Sequence, residues 1–491
     1  MTSEPRQSQT RAPLAPPHAA RPHLAQIAAL AAGCLIYLLL AGYQLGLPGL
    51  HYDEAKEAGV NAVELLTGSP VTAFRGATVS LFGRQLPLMV QDYIGALNVY
   101  LALPLLALTG IGVPNLRSLA LLTGLAALLL MERAISTWQR GGWAGGAAPG
   151  GAPTWAGVIA VWLLAASPSF VFWSRQGIFV TNLMQPLTWL CLWQGLRWLE
   201  SGARRSLALC ALGAGLALYA KLLALWVVGP FLVMLAMGWW ARRRRGHAPA
   251  IQATTAGVAL AALLAPLLPL IWFNLQTGGV WTTLAGNALQ SYYGVDNRAL
   301  LANGLARLDQ LGQSLRGDHL WYLGGLYGNP LAPYLAALAI ALGLMVQPRR
   351  LLPALALLAA ALAASLATIT GLFITHYALI QPLVIALAAG GLASWAEAGR
   401  VRRGVALVAV ILWAALDLRA TLLYHQALTR SGGLGSHSDA SYHLAYTLRA
   451  NGWSAPIALD WGIDAPVRYL SANSVRPIEI FGYESPAAPD P

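Results

Sequence analysis

Charged side chains are scarce in this chain, where they make up 10% of the 491 residues. A soluble domain carries roughly 25% charged residues, because its surface faces water. Hydrophobic residues account for 57% of the chain, and its mean hydropathy is +0.56. This composition excludes a soluble enzyme. It predicts an all-α polytopic membrane protein whose helices are solvated by the bilayer.

Lysine is almost absent, since Lys56 and Lys221 are the only lysines among the 31 basic residues. The other basic residues are arginines, and the formal net charge is +12. A nucleic-acid-binding protein concentrates positive charge on one polar face. Here most arginines lie in short loops between apolar runs, which is typical of residues that orient a chain in a membrane. The sequence therefore indicates membrane lipid as a partner and excludes nucleic acid.

Cysteine is also rare, with only Cys34, Cys191 and Cys210 in the chain. All three fall within apolar runs, and their spacing matches neither a disulfide framework nor a metal site. We expect them to be buried packing residues. The sequence has no His-x-x-x-His motif that would indicate a zinc site.

Long apolar runs, in contrast, are abundant. A helix that spans a bilayer needs about 20 mostly apolar residues. The first run is too long for the core of a signal peptide and has no small-residue cleavage site after it, so we interpret it as an uncleaved span. Eleven runs are candidate spans: 24–46, 116–131, 154–173, 183–199, 206–221, 222–240, 252–273, 331–346, 352–370, 377–395 and 404–420.

A twelfth apolar run, 93–109, is interpreted from the distribution of charge. If the N-terminus is cytoplasmic and this run does not cross the membrane, the inner segments hold 17 basic and four acidic residues, and the rest of the chain holds 14 and 15. If the run did cross, the arginine clusters would face outward, against the positive-inside rule. The pattern therefore predicts a re-entrant or juxtamembrane outer helix at 93–109.

This topology divides the chain into three parts. We expect a disordered cytoplasmic tail at 1–23, a transmembrane domain at 24–420 and a small extracytoplasmic α/β extension at 421–491. The large polar segments of the transmembrane domain, 47–115 and 274–330, then lie outside. The sequence thus predicts a multi-pass protein of the cytoplasmic (inner) membrane, with its N-terminus inside and its C-terminus outside.

Turn and periodicity signals describe the extension further. Residues 441–453 have the pattern of a short helix that ends at Asn-Gly. Residues 455–461 and 476–483 have the composition of strands. The extension contains no catalytic motif, and we expect it to form a cap on the outer face.

An acidic cluster follows the first span directly. Within segment 51–57 the chain places a histidine, three acidic residues and a lysine, and Asp53, Glu57 and Glu64 share one helical face. One interpretation is a solvated interfacial helix with Asp53 as its N-cap. The other is a general base at the lipid–water boundary, where apolar surroundings raise the pKa of a carboxyl group.

The Asp-Glu pair formed by Asp53 and Glu54 resembles the hallmark of glycosyltransferases of the GT-C fold that use polyprenyl-phosphate sugars. This group includes the protein O-mannosyltransferases and the aminoarabinose transferases that modify lipid A. The resemblance covers roughly residues 30–400. Further segments resemble the group in the same order: 93–110 its non-spanning outer helix, 113–125 its next span with Arg117, 166–182 its second outer loop with Arg175, 213–225 the span that ends in Lys221, and 375–387 a late span that begins with His376.

The resemblance implies a GT-C fold of about eleven spans and a transferase reaction. The donor would be a sugar joined through phosphate to a polyprenyl chain, and the acceptor a lipid, a glycan or a protein. Asp53, with Glu54 beside it, would serve as the general base of an inverting displacement. Lys221, Arg117 and Arg175 would contact the lipid phosphate.

Two positions depart from the group's pattern. Many members carry an acid in the second outer loop, where this chain has Thr181 and Asn182. They also carry a polar residue before Pro-Pro at the outer helix, where this chain has Asp92 and no proline pair. We expect Asp92 to be the substitute acid in the substrate site, and His376 is a further candidate ligand. The identity of the sugar and the participation of a divalent metal stay open.

Other interpretations stay open beside the transferase. Lys221 could be a snorkelling residue that marks a turn between two spans. A transporter or flippase of lipid-linked sugars is the main alternative function, although such proteins place charges or broken helices at mid-membrane. A non-catalytic scaffold would not account for the acidic cluster near a lysine-bearing turn.

Overall fold

The computed structural model describes residues 21–141, 152–176, 181–249, 251–286, 288–289, 295–366 and 374–480. Most of the predicted tail 1–23 and the end of the predicted strand 476–483 lie outside these residues. We number the α-helices of the described residues in chain order: α1 (Arg21–Gly42), α2 (Tyr52–Glu54), α3 (Asn61–Thr67), α4 (Leu97–Thr109), α5 (Val113–Gln139), α6 (Trp155–Ala166), α7 (Pro168–Gln176), α8 (Thr181–Ser201), α9 (Arg204–Ala220), α10 (Leu225–Arg244), α11 (Ala253–Leu264), α12 (Leu268–Thr277), α13 (Gly279–Gly286), α14 (Leu300–Arg316), α15 (Ala332–Val346), α16 (Pro348–Leu366), α17 (Gln381–Glu397), α18 (Arg400–Ser431), α19 (Ala440–Ala450) and α20 (Asp464–Leu470).

Short segments complete the secondary structure. A π-helical turn, Ala55–Val60, joins α2 to α3, so Tyr52–Thr67 is one continuous helix. We call it the outer helix. The 3₁₀ turns are Phe74–Gly76, Leu222–Ala224, Ala265–Leu267, Trp321–Leu323, Ile374–Ala378 and Gly435–His437. The strands are β1 (Thr78–Leu81), β2 (Arg84–Pro87), β3 (Met89–Gln91), β4 (Ile94–Gly95), β5 (Ile457–Ala458) and β6 (Ile478–Glu479).

The predicted all-α polytopic membrane fold is confirmed. Each of the eleven predicted runs coincides with a helix or a pair of helices. Three of them, α8, α9 and α15, are too short or too polar to be assigned as spans by length and composition alone. Among the described residues, seven helical segments are long and apolar enough to span a bilayer: Leu24–Gly42, Val113–Gln139, Leu222–Arg244, Ala253–Thr277, Pro348–Leu366, Ile374–Glu397 and Arg400–Ser431.

The run predicted as a straight span at 154–173 is bent. Its helices α6 and α7 meet at 72°, and together they make an eighth span if the pair is counted as one. Ser167 at the junction has an extended backbone (φ −63°, ψ 125°). The cause is the proline that follows, because the ring of Pro168 disfavours helical backbone in the preceding residue.

The non-spanning helix predicted at 93–109 is α4, which contains only 13 residues. At 1.5 Å per residue it is ~20 Å long, shorter than the ~30 Å hydrocarbon core of a bilayer. Its length is consistent with a helix that does not cross.

The core of the bundle is built around α17. In the span that contains it, 94% of the apolar window is buried, compared with 6% for the span made by α11 and α12. Small residues let a neighbouring helix approach closely. A Cβ atom on Gly343 of α15 would lie 2.4 Å from the Cα of Gly391 in α17, so the two backbones are in direct contact.

The C-terminal extension packs against the outer helix. Its strands β5 and β6 pair in parallel but contain only two residues each, and its second helix, α20, is not predicted by the sequence pattern. Arg468 of α20 donates a 2.5 Å hydrogen bond to Glu64 of α3. A Cβ on Gly59 would lie 2.6 Å from the Tyr469 ring, so the extension closes directly over the π-helical turn.

Candidate active site

Asp53 lies at the start of the outer helix and is buried, with 7% of its surface exposed. The N-cap is His51, whose Nδ1 accepts a 3.2 Å hydrogen bond from the Asp53 backbone N–H. The Asp53 carboxylate itself lies 3.6 Å from His51 Nδ1. The interpretation of Asp53 as the N-cap of a solvated helix is therefore wrong. His51 is the N-cap, and Asp53 is buried within the packed structure.

Burial sets the protonation behaviour of Asp53. Removal from water raises the pKa of its carboxyl group above the ordinary value. The charges of His51, Lys221 and Lys56 act in the opposite direction and offset part of this effect. The net result is a carboxyl group with a raised pKa beside cations, which suits a general base.

Glu57, one turn later, is fully buried, and neither of its carboxyl oxygens has a hydrogen-bond partner among the described residues. Burial raises the pKa of Glu57 to about 8, with Lys221 lowering it and Asp53 raising it further. At neutral pH this side chain therefore keeps its proton. Sequence reasoning placed Glu57 on the face of Asp53 without giving it a role. Its presence in a π-helical turn is a further signal, because such turns are frequent at functional sites.

Lys221 lies at the break between α9 and the turn that opens α10, where its backbone is extended. The side chain is completely buried, so the snorkelling interpretation is wrong. Its Nζ lies 5.9 Å from the centre of the Tyr93 ring, and the Leu222 N–H donates a 3.0 Å hydrogen bond to the Tyr93 carbonyl. Because the charge of Lys221 acts on Asp53 and Glu57, these three side chains belong to one site.

Glu54 and Arg117 form a buried ion pair. Arg117 donates to both carboxylate oxygens, with Nε–Oε1 and Nη2–Oε2 distances of 2.7 and 3.0 Å. It also donates to the carbonyls of Leu45, Pro48 and Gly49 at 3.0, 2.8 and 3.3 Å. The pair therefore holds the loop between α1 and α2 against α5. The predicted contact of Arg117 with a lipid phosphate stays a prediction.

Arg175 is a buried guanidinium without a carboxylate partner in the part of the chain that the structure describes. Its Nη2 donates to the carbonyls of Gln44 and Leu47 at 2.5 and 3.2 Å, and its Nη1 lies 3.5 Å from His425 Nδ1. Its Nε has no hydrogen-bond partner within those same described ranges. A buried cation of this kind favours an anion nearby.

Asp92 lies in the turn between β3 and β4 and forms a two-bond ion pair with Arg75, at 2.7 and 2.9 Å. The Thr283 hydroxyl donates a 2.6 Å hydrogen bond to the same carboxylate. These contacts join the outer segment to α13. Asp92 is thus held in place by Arg75 and Thr283, and its predicted contact with the substrate stays a prediction.

His376 is buried in the turn before α17, with its ring centre 6.3 Å from that of Trp226 on α10. Within the described ranges, no group of three or more His, Cys, Asp or Glu side chains is arranged to hold a metal ion. The described residues therefore do not build a metal centre of this kind.

Two small cavities flank the outer helix, each of 20 Å³, which is enough for about one water molecule. Glu54, Arg117, Gln176 and Asn182 are among the residues that line the first. Lys56 is among those that line the second, on the side of the extension. The outer helix is thus bordered by water-sized polar spaces on both sides.

The extension supplies residues that sequence reasoning missed. His437 stacks on His51 at 4.3 Å and on Tyr322 at 4.0 Å between ring centres. The Tyr322 hydroxyl donates a 2.8 Å hydrogen bond to Gln176 Oε1. Trp461 packs on Tyr52 at 4.9 Å. These contacts join segments far apart in the chain, so no local pattern indicates them.

Comparison with solved structures identifies the fold. A scan against protein-family models finds no match, and no curated protein matches the sequence. Among solved structures, ArnT from Cupriavidus metallidurans bound to undecaprenyl phosphate aligns with a TM-score of 0.58 and 14% identity, covering 94% of this chain and 86% of that chain. Its apo structure aligns with a TM-score of 0.57 and 13% identity, covering 92% and 85%. The chain therefore has the fold of ArnT, and the GT-C fold that the resemblance implied is confirmed.

Proposed function

We propose that this protein is a membrane glycosyltransferase that moves a sugar from a polyprenyl-phosphate donor to an acceptor on the outer face of the cytoplasmic membrane. One observation carries the proposal. A buried carboxyl group on the outer helix, Asp53, lies within electrostatic reach of the buried cation of Lys221. It does so in a chain with the fold of a protein that was solved with undecaprenyl phosphate bound.

Asp53 is the general base of the proposed reaction. The acceptor hydroxyl or amine attacks the anomeric carbon of the donor sugar and loses its proton to the Asp53 carboxylate. The bond between that carbon and the phosphate oxygen breaks, and polyprenyl phosphate leaves with the bonding electrons. A single displacement of this kind inverts the anomeric centre. No strong general acid is needed, because phosphate is a good leaving group.

Lys221 and Arg175 are the cations that stabilise the departing phosphate in this proposal. Both are fully buried, which strengthens their interaction with an anion. Glu57 supports the same role, because a protonated Glu57 does not neutralise the charge of Lys221. Glu54 and Arg117 fix the loop leading to Asp53, and Arg117 remains a proposed contact of the lipid phosphate. Asp92 and His376 remain proposed substrate contacts.

The acceptor is a lipid, a glycan or a protein in this proposal, and the extension borders the side from which it would approach. The distribution of arginines supports an N-terminus in the cytoplasm and the extension outside. The fold and the apolar spans support membrane lipid as the surrounding solvent.

The test is transfer by the purified protein in proteoliposomes that contain labelled polyprenyl-phosphate sugars and a panel of acceptors. We expect release of polyprenyl phosphate together with labelled acceptor. Asp53→Asn should reduce the rate roughly 10²- to 10⁴-fold, the range that general base catalysis contributes. Asp309→Asn, at an exposed site on α14, is the matched control and should retain the rate. Full transfer by a folded Asp53→Asn variant would remove the assignment. Movement of intact donor without its cleavage would identify a flippase instead.

A further inference from the structure

A large groove opens on the basic side of the bundle, at the end opposite Asp53. Helix α6 forms its floor, and α1 and α18 both pack on α6 and form its walls. Its volume is 1310 Å³, above the range of about 300–1,000 Å³ for small-molecule pockets. Alanine and branched aliphatic side chains make up most of its lining. A space of this size and polarity suits hydrocarbon chains.

The groove is about one leaflet deep. Along α1 it runs from Gln26 to Ile36, which is ~15 Å at 1.5 Å per residue. Along α18 it runs from Arg403 to Leu418, which is ~22 Å. Half of a ~30 Å hydrocarbon core is ~15 Å. Acyl chains of a lipid whose headgroup lies at the basic end would therefore fit along it.

The mouth of the groove is positively charged. Three guanidinium groups, Arg140, Arg350 and Arg403, line it beside a single carboxylate, Glu397. Arg350 forms an ion pair with the Glu397 carboxylate, with an Nη1–Oε2 distance of 3.4 Å. Neither Arg140 nor Arg403 forms an ion pair within the described residues; Arg140 donates to the Ala152 carbonyl at 2.5 Å. Glu132 and Glu200 also act on Arg140, from beyond ion-pair distance, so neither guanidinium is neutralised by a direct contact.

Gln139 connects the mouth of the groove to Arg350. Its Oε1 accepts a 3.3 Å hydrogen bond from Arg350 Nη1, which helps to hold that guanidinium at the mouth. Its Nε2 lies against Gly390 of α17, 2.8 Å from where a Cβ would be, and is closed off from the groove.

We propose that this groove binds one anionic glycerophospholipid from the inner leaflet. Its phosphate lies between Arg140 and Arg403, and its acyl chains lie along α6 between α1 and α18. Basic pockets between helices on the cytoplasmic side are known to hold anionic headgroups. The site is separate from the catalytic one, because Arg117 and Gln139 on the same helix are ~33 Å apart.

The test uses the delipidated full-length protein and native mass spectrometry with dioleoyl phosphatidylglycerol or dioleoyl phosphatidylcholine. We expect one phosphatidylglycerol molecule to stay bound and to raise the melting temperature, and phosphatidylcholine to bind at least tenfold more weakly. Arg140→Gln with Arg403→Gln should weaken phosphatidylglycerol binding roughly 30-fold, at about 1 kcal/mol for each cation removed. Arg400→Gln, at the exposed start of α18 and outside the groove lining, should leave binding unchanged.

A second pair of variants tests the apolar part of the site and does not depend on the arginines. Ala415→Trp fills the groove and should prevent retention of the lipid, whereas Val408→Trp, exposed on α18 outside the lining, should not. Equal binding of the two lipids, or retention by Ala415→Trp, would overturn the proposal. Dimers that Ala415→Trp disrupts would assign the groove to a second copy of the chain and overturn it as well.

Discussion

Glu57 shows how one buried side chain can make stability depend on pH. The pKa of Glu57 in the folded protein, about 8, lies above the value of 4.5 for an exposed glutamate. Between these two values the unfolded chain loses its proton while the folded protein keeps it. The free energy of unfolding therefore falls as the pH rises from 4.5 toward 8. Below 4.5 the residue has no effect, because both states are protonated.

We therefore expect Glu57→Gln, which mimics the protonated side chain, to flatten this fall. Thermal unfolding in detergent between pH 5 and 9 is the measurement. The variant should gain stability relative to the wild type as the pH rises, with little difference at pH 5. Asp309→Asn should follow the wild-type curve, since this residue is exposed. Parallel curves for Glu57→Gln and wild type would show that Glu57 is solvated.

At the scale of single residues, the sequence identifies Asp53 and Lys221 because each interrupts or borders an apolar run. The burial of Glu57 cannot be predicted in this way, because the π-helical turn packs against α4 and α20, and the local sequence pattern does not indicate that packing. The contact between Cys191 and Cys210 is a similar case. Their Sγ atoms lie 3.7 Å apart because α8 and α9 pack side by side, and the spacing of the cysteines does not indicate it.

Among the secondary-structure elements, the Glu54–Arg117 pair connects the outer helix, α5 and the loop after α1. Removing one partner leaves the other as an uncompensated buried charge, which typically costs 3–5 kcal/mol. We expect Arg117→Met and Glu54→Gln to lower the melting temperature strongly. The double variant should be more stable than the sum of the single changes predicts, as a double-mutant cycle of thermal unfolding would measure. Additive effects would mean that the two side chains act independently.

The positions of the helices follow from the apolar runs, because a bilayer demands long, continuous apolar segments. The bend at Ser167 and the break of the span 253–277 by a 3₁₀ turn do not follow from hydropathy, which averages over prolines. The proline at the start of α7 indicates the bend. The charge distribution predicts that α4 does not cross the membrane, and this stays a prediction.

For the whole molecule, the extension and the outer helix are in direct contact at Gly59 and Tyr469. We expect Gly59→Ala to push Tyr469 away, because a Cβ there would lie 2.6 Å from its ring. Tyr469 would then lose its 2.9 Å hydrogen bond to the Gly112 carbonyl. Overpacking of this kind typically costs 1–3 kcal/mol.

Limited proteolysis of the extension measures this effect, and cleavage should be faster in Gly59→Ala. Gly404→Ala is the control, because nothing lies within 4 Å of a Cβ at that position. Unchanged cleavage of the Gly59 variant would mean that the extension does not depend on this contact. The packing of the extension on the outer helix is also the part of the architecture that sequence patterns predict least, since it joins residues from both ends of the chain.

The stack of His51, His437 and Tyr322 has a consequence for biosynthesis. A ribosome adds ~5–20 residues per second, so ~20–80 s separate the synthesis of His51 from that of His437. Throughout that interval the nascent chain lacks the ring that stacks on His51, the residue that caps the helix bearing Asp53. A copy truncated before residue 437 would therefore leave this face of His51 uncovered.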